Sequence, residues 1–207
     1  MVDVDIRRLH RDELLLAAGV LARGMRDNPI HVAVFGDDPY RRTQTLETLF
    51  GAYLPMMTRA PISAYRAGTL VGVLGMVPPG HGHRPNLPAA LGGLRVLAPL
   101  VRCDPATCSR LLRWLGAWAR RDPQEPHWHL GPVAVEAGLQ RRGIGRQMMD
   151  VFCARMDRER AAAYLETDKL ENVAFYRRFG FETIAEATVL GTRNWFMRRA
   201  PRPVTPS

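Results

Sequence analysis

Lysine is almost missing from this chain: Lys169 is the only one among 29 basic residues. A P-loop, which needs Gly-Lys-Ser/Thr after its turn, is thereby excluded. Cysteine is also scarce. Cys103, Cys108 and Cys153 are an odd number without paired metal-ligand spacing, which argues against a disulfide framework or a zinc module and leaves them as packing residues. Nor is there an apolar run long enough to cross a membrane, and Met1 to Arg11 is charged where a secretory leader would be apolar. The expectation is a cytoplasmic protein that does not engage a membrane. The net charge of +9 would suit a polyanionic partner, but the arginines are scattered along the chain. A compositional bias explains them equally well, so a nucleic-acid partner is not implied.

What is present is enough apolar sequence for a core: 46% of 207 residues, without an internal repeat or a linker. One domain over 1–199 is expected, with 78–126 as a variable insert shaping an acceptor pocket and 200–207 as a tail. Val4 to Arg8 alternates like a strand, and Asp12 to Met25 has helical spacing until Asn28-Pro29 stops it. Thr43 to Tyr53 reads as a second helix. Ile62 to Arg66 and Thr69 to Val77 read as strands across Ala67-Gly68. The insert holds eight of the sixteen prolines, yet Asp104-Pro105 opens a helix with Leu111, Leu115 and Trp118 on one face. A βαβ unit then follows: strand His127 to Val135, helix Gly145 to Arg160, strand Ala161 to Thr167. Asn172 to Phe179 is a short helix closed by Gly180, and Phe181 to Leu190 and Arg193 to Arg199 are strands across Gly191.

The most informative segment is Gln140-Arg141-Arg142-Gly143-Ile144-Gly145, between an apolar strand and an amphipathic helix. Two glycines let bare backbone approach a ligand, and the first amides of the next helix are unpaired and favour phosphate. Arg141, Arg142 and Arg146 can reinforce that attraction. A dinucleotide fingerprint would need a third glycine where Met148 stands. Pro132 adds a second signal, because a proline inside a central strand breaks the ladder and opens a gap.

Gln140-x-x-Gly143-x-Gly145 after Val133-Ala134-Val135 resembles the signature of the GNAT acyltransferases. Asn172-Val173-Ala174-Phe175-Tyr176-Arg177-Arg178-Phe179-Gly180-Phe181 extends the likeness to the carboxyl end. Glu125-Pro126-x-Trp128 and Tyr164-Leu165-Glu166-Thr167 are similar to the puromycin N-acetyltransferase-like actinobacterial subgroup. The resemblance implies the α/β (α+β) GNAT fold, a mixed, mostly antiparallel sheet of six to seven strands flanked by helices, with splayed central strands. It implies acetyl-CoA as co-substrate, held by Val133, Ala134, Val135, Gln140, Arg141, Arg142, Gly143, Ile144, Gly145, Arg146, Asn172 and Tyr176. It gives the Val133 N–H the oxyanion role and Tyr176 the role of acid to the leaving thiolate. Relatives in this superfamily often pair as homodimers.

An alkylamine with pKa near 10.4 is neutral in only about one molecule in 2,500 at pH 7, so a base is useful. His129 is the first candidate, with His127 and Glu166 behind it. N-capping of its helix explains Asn172 nearly as well as a coenzyme contact. His81-x-His83 and His127-x-His129 lack partner ligands, and no metal is expected. The expected activity is acetyl transfer to a primary amine of a small molecule. A protein lysine or N-terminus as acceptor, and a non-catalytic acyl-CoA-binding regulator, are the alternatives.

Overall fold

Apolar alternation over residues 62–77 becomes a hairpin of β2 (Ile62–Arg66) and β3 (Thr69–Val77). Its turn, Ala67-Gly68, has φ of 47° and 76°, the positive pair that matches the strands' twist. The structure is a computed structural model that describes residues 3–80 and 104–202. The expectations for His81, His83 and Cys103, and for most of the proline-rich insert, lie outside the described residues. The other strands are β1 (Asp5–Arg8), β4 (Trp128–Val135), β5 (Ala163–Thr167), β6 (Phe181–Val189) and β7 (Thr192–Arg199). They form one seven-stranded sheet in the order β1-β2-β3-β4-β5-β7-β6, antiparallel except for the β4–β5 pair.

Helices α1 (Leu14–Met25), α2 (Pro29–Phe35), α3 (Pro39–Tyr53) and α4 (Pro105–Ala119) cover one face. Beneath α1 and α3 lie Tyr65, Leu70, Val73 and Ala134, while α2 and α4 enclose Ile30, Val34, Leu111, Trp114 and Val189. Helices α5 (Ile144–Glu159) and α6 (Leu170–Arg177) cover the other face. There Met148, Met149, Phe152 and Met156 pack on Trp128, Leu130, Leu165 and Met197, as the helical spacing required.

Three expectations change. Asn28-Pro29 ends α1 but also begins α2, because proline at the first helical position forgoes an N–H that has no partner there anyway. In α4 the buried stripe is Thr107, Leu111, Trp114 and Ala117, and Leu115 is 40% exposed. The stripe therefore turns toward α2, not along the Leu111–Leu115 line. Asn172 is the third residue of α6, with Lys169 at the N-cap, so the capping reading of Asn172 fails. Asp104 does cap α4, accepting from the Thr107 N–H at 3.0 Å.

Candidate coenzyme and acceptor site

Pro132 disrupts β4 as its chemistry requires. The β3–β4 register shifts between Leu74 and Met76, opposite Gly131-Pro132, a cis peptide. A Cβ on Gly75 would lie 2.7 Å from the Gly131 oxygen and 2.9 Å from Pro132 Cδ, so only glycine fits on β3 at this point. On its other side β4 pairs with β5 at Trp128↔Ala163 and His129↔Tyr164 and then leaves it. Beyond that fork β5 remains bonded to β7 as far as Thr167, and β4 remains bonded to β3 as far as Val135. The Glu136 N–H donates to Val71 O at 2.8 Å, and antiparallel pairing alternates. The Val133 and Val135 amides therefore point away from β3, toward the opening between β4 and β5.

From the end of β4 the chain makes a short turn, Ala137–Leu139, and reaches the glycine loop. Arg141 and Gly143 have φ of 61° and 88°, and α5 starts at Ile144. The first helical bond here is Gln147 N–H to Gly143 O at 3.1 Å, so the Ile144, Gly145 and Arg146 amides precede the ladder. A Cβ on Gly145 would meet nothing nearer than Phe175 Cζ at 3.7 Å, so the protein's own packing does not demand this glycine. Gln140, expected as a coenzyme contact, also ties the chain together here. Its amide donates to Val135 O at 3.1 Å and Gly24 O at 3.3 Å, and the Arg23–Glu136 pair at 2.9 Å adds a second tie from α1. These bonds anchor the strand end from which the loop departs. Arg141, Arg142 and Arg146 are exposed around the loop, with Arg146 3.8 Å from Asp150.

At the fork, on the face covered by α1 to α4, His129 Nε2 lies 2.8 Å from Glu166 Oε2. Burial pushes the imidazole pKa down, but the charge and hydrogen bond of Glu166, with help from Asp122, outweigh it and leave it raised. His127 is engaged within its own loop: Nδ1 is 2.8 Å from Glu125 O and Nε2 is 3.2 Å from Asp122. That suits a structural residue better than a base. Both imidazoles meet the Tyr164 ring edge-on, at 5.4 and 5.7 Å. Tyr53, at the end of α3, belongs to the same environment: burial first, and then the Glu166 charge, push its phenol up to about 12. No sequence pattern marked Tyr53, because a helix-terminal tyrosine looks the same whether or not it meets an acid.

On the opposite face Tyr176 packs against Phe175 and Phe181. Burial, then the charge of Asp168, raises its phenol well above the ordinary range, so it stays protonated. Asp168 is buried and accepts the Ile30 N–H at 2.7 Å, and Asn172 donates to Thr167 Oγ1 at 3.1 Å. Among the described residues, no group of three or more His, Cys, Asp or Glu is arranged to hold a metal ion.

The acetyltransferase (GNAT) family model matches residues 106–181, from α4 to the start of β6. A structure from Corynebacterium glutamicum, a histone acetyltransferase HPA2 and related acetyltransferase, superposes with TM-score 0.72 at 18% identity, over 99% of this chain and 100% of that one. The matched segment carries the acetyltransferase (GNAT) family pattern, and the whole chain has the fold of that superfamily's solved structures. A polyamine N-acetyltransferase from Drosophila melanogaster shares the GNAT fold at TM-score 0.61 and 14% identity, over 96% and 100% of the two chains. A GNAT family acetyltransferase from Brucella melitensis, in complex with acetyl-CoA, aligns at TM-score 0.53 and 16% identity, over 100% of this chain and 93% of that one.

Proposed function

We propose that the protein transfers acetyl from acetyl-CoA to a primary amine of a small molecule by direct attack. The observation that carries this reading is the opening between β4 and β5, which has inward amides on one wall, the glycine loop at its end and the His129–Glu166 pair at its fork. The diphosphate is assigned to the amides of Ile144, Gly145 and Arg146, with Gly143 shaping the turn and Arg141 and Arg142 adding positive charge. Val133, Ala134 and Val135 line the acyl arm, with Asn172 beside it. Acetyl-CoA supplies the activated acyl group.

The chain's residues then move two protons. His129 takes one from the acceptor ammonium and passes it to solvent. The freed amine bonds to the acyl carbon while the Val133 N–H holds the carbonyl oxygen, and the carbon–sulfur bond breaks. Tyr176 gives its proton to the departing thiolate and recovers one from the new amide nitrogen. The products are amide, CoA thiol and one released proton. Membership of the puromycin N-acetyltransferase-like subgroup is supported by Glu125-Pro126-x-Trp128 and Tyr164 to Thr167, which surround the His129–Glu166 pair. The polyamine acetyltransferase among the similar structures favours an amine acceptor as well.

The test is release of free CoA thiol with a panel of small primary amines set against lysine-containing and free N-terminal peptides. Turnover restricted to the small amines is expected. Turnover confined to peptides would replace the acceptor class, and acetyl-CoA binding with no thiol release on any amine would make the protein a regulator.

A further inference from the structure

We infer that Glu166 is a positioning residue for acyl transfer: its buried carboxylate holds the His129 ring at the β4–β5 fork and selects the tautomer with the lone pair on Nδ1. This rests on the acetyltransferase reading above and adds to it a role for a residue that does not itself touch the acceptor. The Glu166 side chain is 2% exposed and His129 15%, so the imidazole is the outer member of the pair. Glu166 is two residues past the last β4–β5 pairing, Tyr164↔His129, and it is carried by a segment of β5 bonded to Phe196 of β7. A rigid strand on one side of the opening therefore fixes a side chain on the other. With Nε2–H given to the carboxylate, the basic nitrogen is Nδ1, as in other carboxylate–imidazole pairs. Glu166 lies behind the ring, with Oε2 against Nε2 and 2% of its side chain exposed, so the imidazole is the member of the pair nearer solvent.

Among the described residues, the charged and titratable groups around His129 include Glu166 and Tyr164 on β5, Asp122 after α4, His127 across the Tyr164 ring, and Tyr53 from α3. Of these, Glu166 is the dominant source of the upward shift. Glu166→Gln keeps an acceptor for Nε2–H but removes the charge, leaving burial to act against Asp122 alone.

Histidine Cε1–H titration by NMR on the free protein, together with pH profiles of kcat, tests the inference. In Glu166→Gln the His129 titration and the acidic limb of kcat are expected to move to lower pH, and the plateau kcat to fall about tenfold or more. The KM for acetyl-CoA should stay unchanged. An unmoved His129 titration with an unchanged plateau, in a preparation whose unaltered form turns over, would overturn the role of Glu166 and leave the acetyltransferase reading intact. If the unaltered protein releases no CoA with any amine, both fall. Should Glu166→Gln fail to fold, Glu166→Asp carries the test: it keeps the charge but shortens the reach, so a lower kcat is expected, and an unchanged kcat would contradict the inference.

Discussion

Tyr176 and Glu13 are two titratable groups shifted in opposite senses, the first assigned to the proposed chemistry and the second to stability. Tyr176 is buried beside Asp168, which keeps the phenol protonated across the working pH range, the state that the proposed donor role requires. Tyr176→Phe is expected to lower kcat by about ten- to a hundredfold with little change in the KM for acetyl-CoA, measured by thiol release. Glu13 is held down to about 2, first by hydrogen bonds from Arg7 and then, against burial, by Tyr65 and the His10 N–H. A depressed carboxylate contributes stability that is complete above its ordinary pKa, 4.5, and is lost as the pH falls toward about 2. Melting temperatures between pH 5 and 2.5 should therefore fall less steeply in Glu13→Gln than in the unaltered protein. Tyr176 and His129 were legible in the sequence as candidates, Tyr176 through the family resemblance and His129 through its residue type and place on the strand. These signals did not reveal that His127 is tied to Glu125 and Asp122, or that Tyr53 meets Glu166, because such pairings depend on which loops fold over the strand.

The elements follow the sequence wherever periodicity and turn chemistry agree. The β2–β3 hairpin, α5 and the β6–β7 pair run within a few residues of their expected bounds, since alternation and helical spacing report burial directly. Helix α2 was illegible because an Asn-Pro pair signals a stop and a start with the same residues. Pro132 in a central strand was legible as a disruption, and its consequence on the neighbouring strand is specific. Gly75 on β3 passes within 2.7 Å of Gly131 O when a Cβ is added, and backbone on both sides leaves nothing that can swing away. Gly75→Ala should lower stability by about 1–3 kcal/mol in urea unfolding and weaken acetyl-CoA binding by displacing Val133. A variant as stable as the parent would show that the β3–β4 contact at this kink is slack.

At the scale of the whole molecule, helices flank both faces of a seven-stranded sheet that opens between β4 and β5. The imidazole–carboxylate pair lies on one face and Tyr176 on the other, so the proposed mechanism requires its base and its acid to meet where β4 and β5 separate. The net charge of +9 plays a smaller part, since Arg141, Arg142 and Arg146 are the arginines gathered at the glycine loop. Titration of acetyl-CoA by calorimetry into the unaltered protein and into Gly145→Val tests the arrangement most directly, because outside the local helical backbone the nearest atoms to an added Cβ are Phe175 Cζ at 3.7 Å and Val135 Cγ2 at 3.8 Å. Saturable binding by the parent and at least about tenfold weaker binding by a variant of equal melting temperature is the expected result, a difference of about 1.4 kcal/mol or more. No heat from the parent at millimolar acetyl-CoA, or equal affinity in the variant, would contradict the assignment of the diphosphate to these amides.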